Sequence, residues 1–206
     1  MRYVPSRRSR GRNKMTRNLI LCGVGGQGIL LASTVISNAA LRSGYDVKTN
    51  EVHGMAQRGG SVVAQIRFGK AVHSPLIKKG TADYMLALEK IEALRYADYM
   101  KPDGIVIVAR TEIIPVTVST GMAKYPENVD DLLRGRFENL YMVDGLAIAR
   151  ESGEPRAANV ALIGALSNFL PFEENAWEKV LSETVPTKAL QANLKAFQKG
   201  KRAIGN

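Results

Sequence analysis

Apolar runs separated by turn residues alternate along this chain between a strand period and a helix period. Short apolar or alternating runs predict strands at about 18–23, 45–51, 61–68, 82–88, 105–108 and 140–143. Longer stretches with helical spacing predict helices at about 28–42, 89–99, 127–134, 159–170, 173–184 and 187–199. Pro102-Asp103-Gly104 predicts a turn, and 112–125, with Pro115 and several β-branched residues, is expected to be irregular and extended.

This alternation predicts an α/β fold with a single open, mostly parallel sheet. Helices are expected on both faces, because a fully apolar run such as 105–108 is typical of a strand covered on both sides. The last third of the chain is expected to be helical, with Pro171 and Pro186 separating its helices. Residues 16–206 are expected to form this one domain, without an internal repeat or a linker.

The first predicted strand leads directly into a glycine-rich turn. Its glycines at 23, 25 and 28 satisfy the spacing G-x-G-x-x-G, which makes the fold Rossmann-like. The first glycine permits a tight turn, the second a close approach, and the third helix–strand packing. The free N–H groups at the start of the next helix suit a phosphate or a carboxylate. The turn therefore predicts either a bound anion or a tight corner without ligand, and the candidate binding residues are Gly23, Gly25, Gly26, Gln27 and Gly28.

A second motif, residues 51–60, follows the second predicted strand. Ligands of open α/β sheets collect at the carboxyl ends of strands, so this loop is expected to adjoin the glycine turn. Arg58 offers a planar fork of donors, and Gly59 and Gly60 allow backbone amides to approach the same anion. These three are further candidates for cofactor binding.

Three polar residues of the same motif have a less specific reading. Glu51 and His53 project to one side of an extended backbone, either to order the loop or to face a substrate, and Gln57 belongs to the same group. The sequence assigns no catalytic residue and no metal ligand to this chain.

The pairing of Gly23-Val24-Gly25-Gly26-Gln27-Gly28 with Glu51-Val52-His53-Gly54-Met55-Ala56-Gln57-Arg58-Gly59-Gly60 resembles the gamma component of 2-oxoacid:ferredoxin oxidoreductases. Within that family the chain is most similar to the small (beta) subunits of indolepyruvate:ferredoxin oxidoreductases. The resemblance runs from about Met15 to the C-terminus and includes Ala82-Asp83.

The resemblance implies a reaction in which a 2-oxoacid, here an aryl pyruvate such as indolepyruvate, reacts with coenzyme A. The products are an acyl-CoA, carbon dioxide and reduced ferredoxin. It further implies a large partner subunit that carries thiamine diphosphate and iron–sulfur clusters. One cysteine cannot hold a cluster, and no Gly-Asp-Gly is followed by paired asparagines, so this chain is expected to be inactive alone. The two motifs are expected to contact either the phosphate-bearing part of coenzyme A or the partner.

Two features of the composition, the basic N-terminal segment and the single cysteine, carry further expectations. The net charge is +10, but seven basic residues and no acid lie in 1–17, so the remainder is close to +3. Residues 1–15 are expected to be a basic, disordered leader rather than a nucleic-acid-binding segment, because they have too few apolar residues to fold with. Cys22 ends an apolar strand and is expected to be a buried, inert thiol in a reducing cytoplasm.

Two other functions are compatible with parts of this sequence. A self-sufficient NAD- or flavin-dependent oxidoreductase would need Glu51 to accept from a ribose hydroxyl, and would need His53 or His73 as an acid or base. A nucleic-acid-binding module would depend on the basic leader, which has no interleaved aromatic residues for stacking on bases beyond Tyr3.

Overall fold

The computed structural model describes residues 15–53, 60–112 and 126–204, and of His53 the backbone alone. These residues form one six-stranded sheet and seven α-helices. The strands are β1 (Arg17–Val24), β2 (Asp46–His53), β3 (Ser61–Gly69), β4 (Ala82–Ala87), β5 (Met100–Ala109) and β6 (Asn139–Val143). The helices are α1 (Ile29–Arg42), α2 (Lys90–Arg95), α3 (Val129–Arg136), α4 (Gly145–Glu151), α5 (Ala158–Ser167), α6 (Glu174–Thr184) and α7 (Leu190–Arg202).

The sheet has the strand order β2-β3-β1-β4-β5-β6. β1, β4, β5 and β6 pair in parallel, whereas β3 pairs antiparallel with both β1 and β2. Among the six strands of the described residues, β3 alone runs against the others, which confirms the mostly parallel sheet. We call the edge at which the other five strands end, and β3 begins, the carboxyl rim.

The sheet is covered on both faces, as the apolar runs predict. Leu19 and Leu21 of β1 pack on one side with α1, α5, α6 and α7, while Ile20 and Cys22 pack on the other with α2 and α3. This alternation follows from the two-residue period of a strand. None of the helices in the described ranges combines the length and apolarity needed to cross a membrane.

Two local predictions were wrong, and one helix was not predicted. Pro102-Asp103-Gly104 lies inside β5, not in a turn, because a register irregularity between β4 and β5 accommodates it. The predicted helix 89–99 is α2 followed by a 3₁₀ turn, Ala97–Tyr99. Helix α4 was not predicted, and Asp144 caps it by accepting a hydrogen bond from the Ala147 N–H. Most of 112–125 lies outside the described residues.

Helices α5 and α7 approach each other through glycine. A Cβ added at Gly164 of α5 would overlap the backbone of Phe197, and one added at Gly200 of α7 would overlap the backbone of Ala161. The two glycines thus remove side-chain bulk from both helices at the same crossing. All residues of α5 from Asn159 onward are buried, because this helix lies between the sheet and α7.

Candidate functional site

The glycine turn connects β1 with α1 at the carboxyl rim. Gly26 and Gly28 have φ angles of +99° and +78°, in the left-handed region that favours glycine. Gly23 has a steric role, because a Cβ there would lie 2.7 Å from Gln27 Oε1 and 3.0 Å from Leu88 Cβ. Gly28 permits close packing on α5, where the Asn159 amide donates to the Gly28 carbonyl at 3.1 Å. Gly23 and Gly28 therefore permit the tight turn and the close packing that the spacing of the glycines predicts.

The side chain of Gln27 is engaged inside this corner. Its Oε1 accepts from the Val24 N–H at 2.7 Å, and its Nε2 donates to the Leu88 carbonyl at 2.6 Å. The amide thus joins the end of β1 to the residue just after β4. The strand order reverses between these two parallel strands, because β2 and β3 lie on one side of β1 and β4, β5 and β6 lie on the other. Open α/β sheets usually bind ligands in that crevice, which here contains the Gln27 amide.

The second motif adjoins the glycine turn, as predicted. The Gly25 N–H donates to the Gly60 carbonyl at 2.9 Å, and Val24 is the register partner of Ser61. Gly25 and Gly60 are partly exposed and Gly26 is exposed, so the junction of the two loops is accessible. Gln57, Arg58 and Gly59 lie outside the described residues, and their roles stay predictions.

Glu51 lies at the sheet edge, two strands away from the glycine turn. It is exposed on β2 and pairs with Ala64 of β3, which in turn pairs with Leu21 of β1. Adjacent strands are about 4.8 Å apart, so Glu51 is displaced by roughly 10 Å from β1. A ribose-binding acid follows the strand next to β1, and Glu51 does not occupy that place. His53 ends β2 two residues later, as the extended backbone predicts.

A partly buried polar cluster around the buried side chain of Glu92 lies beneath the rim, and the sequence did not reveal it. The Ser61 hydroxyl donates to Glu92 Oε2 and lies 3.2 Å from the Tyr96 hydroxyl. Glu92 Oε1 accepts from Arg95 Nε at 2.9 Å, and the Glu92 side chain is only 6% exposed. Ser61 and Glu92 are 31 residues apart. The available signal was a charged stretch, Glu89 to Glu92, directly after a buried strand.

Burial raises the pKa of two groups at this cluster, Tyr96 and the neighbouring Cys22, whose Sγ contacts the Glu92 carbonyl. Desolvation, followed by the charges of Glu92 and Glu89, raises the pKa of the Cys22 thiol well above its usual value. Desolvation also raises the pKa of Tyr96, although its hydrogen bond with Ser61 acts in the opposite direction. Both groups are therefore protonated at neutral pH. Cys22 is fully buried, which agrees with its predicted role as an inert thiol.

Lys90 occupies the neighbouring part of the rim, beyond β4. Its ammonium contacts Glu112 at 2.8 Å and Asp130 at 2.7 Å, and its side chain is 9% exposed. Burial lowers the pKa of Lys90, but the hydrogen bonds to Asp130 and Glu112 outweigh this and raise it overall. An open cavity of about 500 Å³ is lined by these residues and by 126–131. In the described ranges, no three histidine, cysteine or acidic side chains are arranged to hold a metal.

Comparisons with known proteins agree with the two-motif resemblance. The family model "Pyruvate ferredoxin/flavodoxin oxidoreductase" matches residues 18–203. Indolepyruvate oxidoreductase subunit IorB of Thermococcus kodakarensis is 42% identical over 90% of this chain and 95% of its own length.

Two solved structures share the fold. The gamma subunit of a keto/oxoacid ferredoxin oxidoreductase from Geobacter sulfurreducens has a TM-score of 0.67 and 22% identity, over 91% of this chain and 98% of that chain. A 2-oxoglutarate:ferredoxin oxidoreductase from Magnetococcus marinus, solved with 2-oxoglutarate, coenzyme A and succinyl-CoA bound, has a TM-score of 0.71 and 24% identity, over 94% of this chain and 32% of that chain. The predicted resemblance is thus confirmed, and the chain belongs to the pyruvate ferredoxin/flavodoxin oxidoreductase family.

Proposed function

We propose that this chain is the small subunit of a heteromeric 2-oxoacid:ferredoxin oxidoreductase that acts on aryl pyruvates such as indolepyruvate. The complex converts the 2-oxoacid and coenzyme A into acyl-CoA and carbon dioxide, and two electrons pass to ferredoxin. The observation that carries this proposal is the 42% identity to an IorB subunit over nearly the full length of both chains.

The composition of the chain supports a division of labour with a larger partner. Its single cysteine, Cys22, is fully buried, whereas a cysteine-ligated iron–sulfur cluster needs about four thiolates. The clusters and thiamine diphosphate therefore belong to the partner in this proposal, and ferredoxin meets the complex there. The small subunit contributes a surface that completes the site.

We propose that the junction of the two loops is the surface that completes the site, and that it contacts an anion. The first turn of α1 contains no acidic residue, and its N-cap, Gly28, has no side chain to satisfy the free N–H groups. Such a helix start favours an anion, and Arg58 would add a fork of donors. Because the Gln27 amide occupies the crevice between β1 and β4, the anion would lie outside it, near Gly25 and Gly60. The phosphate-bearing part of coenzyme A has the required charge.

Reconstitution tests the function directly. The full chain is expected to co-purify with a large, cysteine-rich subunit that contains thiamine diphosphate. That complex should reduce ferredoxin with indolepyruvate in a reaction that depends on coenzyme A, and each subunit alone should be inactive. Turnover of an aryl pyruvate or of NADH by the isolated small chain would contradict the proposal. Full activity after the Gly25–Gly60 junction is disrupted would instead remove the role of the rim.

We also propose that residues 16–206 form the functional unit and that the basic leader 1–15 is dispensable. A chain that begins at Met15 should then assemble with the partner and support the same turnover as the full chain. Binding of RNA by the full chain, but not by the shortened one, would contradict this reading of the leader.

A further inference from the structure

The carboxylate of Glu92 connects the second loop to helix α2. One carboxylate oxygen accepts from the Ser61 hydroxyl and the other from Arg95 Nε. The Glu92 N–H in turn donates to Glu89 Oε2 at 3.0 Å, which caps the helix. Both oxygens of this buried carboxylate are thus engaged, as a group removed from water requires.

Ser61 is the residue through which this carboxylate acts on the rim. It is the first residue of β3 and directly follows Gly60, whose carbonyl accepts from the Gly25 N–H at 2.9 Å. Its hydroxyl contacts two side chains of the α2 region, Glu92 and Tyr96. The start of β3 is therefore held from below by α2 and from the side by the glycine turn.

We propose that Glu92 is a positioning residue for the proposed coenzyme A contact. Through Ser61 it holds Gly60 against Gly25, so that the second loop stays beside the glycine turn and the first N–H groups of α1, which would face the anion. Glu92 is buried beneath the loops and does not itself touch the ligand. This inference rests on the proposed function of the rim, and the experiment below separates the two.

The test compares Ser61→Ala, Ser61→Thr and Glu92→Gln in the reconstituted complex, with kcat and KM measured separately for coenzyme A and for indolepyruvate. Loss of one buried hydrogen bond should raise the KM for coenzyme A about 3- to 10-fold. The KM for indolepyruvate and kcat should stay within about 2-fold. Ser61→Thr keeps the hydroxyl and should restore the KM for coenzyme A. Glu178→Gln, on an exposed part of α6, is the matched control and should change nothing.

The outcomes separate the two proposals. If the unmodified complex turns over but Ser61→Ala leaves the KM for coenzyme A unchanged, the positioning role of Glu92 is wrong and the function stands. Equal changes in both KM values, or failure of Ser61→Thr to restore binding, would show a general structural role and likewise overturn it. If the assembled, unmodified complex shows no turnover that depends on coenzyme A, the proposed function is contradicted. Thermal unfolding of each variant shows whether the chain is folded, and Ser61→Ala decides the matter if Glu92→Gln does not fold.

Discussion

Glycine serves opposite needs at the α5–α7 crossing and at the carboxyl rim. At the crossing, Gly164 and Gly200 have no room for a Cβ, because the backbone of the facing helix occupies that space. At the rim, Gly26 has a φ of +99°, and no described heavy atom lies within 4 Å of a Cβ built there. Packing thus requires glycine at the helix crossing, whereas backbone conformation alone requires it at Gly26 of the exposed turn. We therefore expect changes at the crossing to affect folding and changes at the rim to affect binding.

The largest effect is expected at the helix crossing. Gly200→Ala should lower the free energy of unfolding by about 3 kcal/mol or more, since the added methyl overlaps the Ala161 backbone and the helices must separate. Urea unfolding of the chain measures this. Gly135→Ala is the control, because Gly135 lies exposed in α3 with no described atom within 4 Å of an added Cβ. That change should stabilise the chain by about 0.5–1 kcal/mol. Equal effects at both positions would break the comparison.

Arg58→Ala should have the largest effect at the rim. Loss of a charge-assisted contact is expected to reduce acyl-CoA formation by the reconstituted complex about 10- to 100-fold at limiting coenzyme A. The unfolding midpoint should stay unchanged, because Arg58 is assigned a binding role. Arg156→Ala removes an exposed arginine from the 3₁₀ turn Pro155–Ala157 and should leave activity unchanged. Unaltered activity of Arg58→Ala with an aryl pyruvate would contradict the anion-binding role.

Gln27 belongs to the rim, but we expect its substitution to affect folding, because its amide joins two backbone groups of the rim. Gln27→Ala leaves the Val24 N–H and the Leu88 carbonyl without their side-chain partner, which should cost about 1–3 kcal/mol of unfolding free energy. Denaturant unfolding measures this cost. Gln191→Ala, exposed on α7, should stay within about 0.5 kcal/mol of the parent chain. A null effect of Gln27→Ala would mean that water replaces the amide and that the corner does not depend on it.

Periodicity along the chain could predict the sheet, the helices and the meeting of the two loops, because each depends on local pattern and on the rule that strand ends collect ligands. That pattern predicts a mostly parallel sheet but does not identify β3 as the antiparallel strand. The placement of β3 between β1 and β2 therefore came only from the structure, and with it the displacement of Glu51.

Side-chain contacts between residues far apart in the sequence could not be predicted from it either. Glu92 reaches Ser61 across 31 residues and Gln27 reaches Leu88 across 61, and no spacing rule connects such positions. The sequence identified Gln27 as a candidate ligand-binding residue because it lies inside the glycine motif. In the structure its amide bonds two backbone groups and so supports the corner, and its role in ligand binding stays a prediction.

The smallest effect on the free energy of unfolding is expected at Lys90, where ion pairs rather than glycines hold this part of the rim together. The pKa of Lys90 is raised in the folded chain, so the ion pairs contribute fully below its ordinary value of 10.5 and are lost as the pH rises through the folded pKa. Its partners, Glu112 and Asp130, are about half exposed, so the contribution should be at most about 1 kcal/mol. The difference in unfolding free energy between the parent chain and Lys90→Met should therefore be constant from pH 7 to about 9.5 and shrink above 10.5.

Lys188→Met separates this local effect from alkaline unfolding of the whole chain. Lys188 is exposed in the 3₁₀ turn Thr187–Ala189, far along the chain from the rim, and its substitution should give a difference that does not vary with pH. A Lys90→Met difference equally independent of pH would mean that Lys90 acts through the packing of its aliphatic stem. The edge of the rim beyond β4 would then resemble the α5–α7 crossing, where shape and not charge holds the elements together.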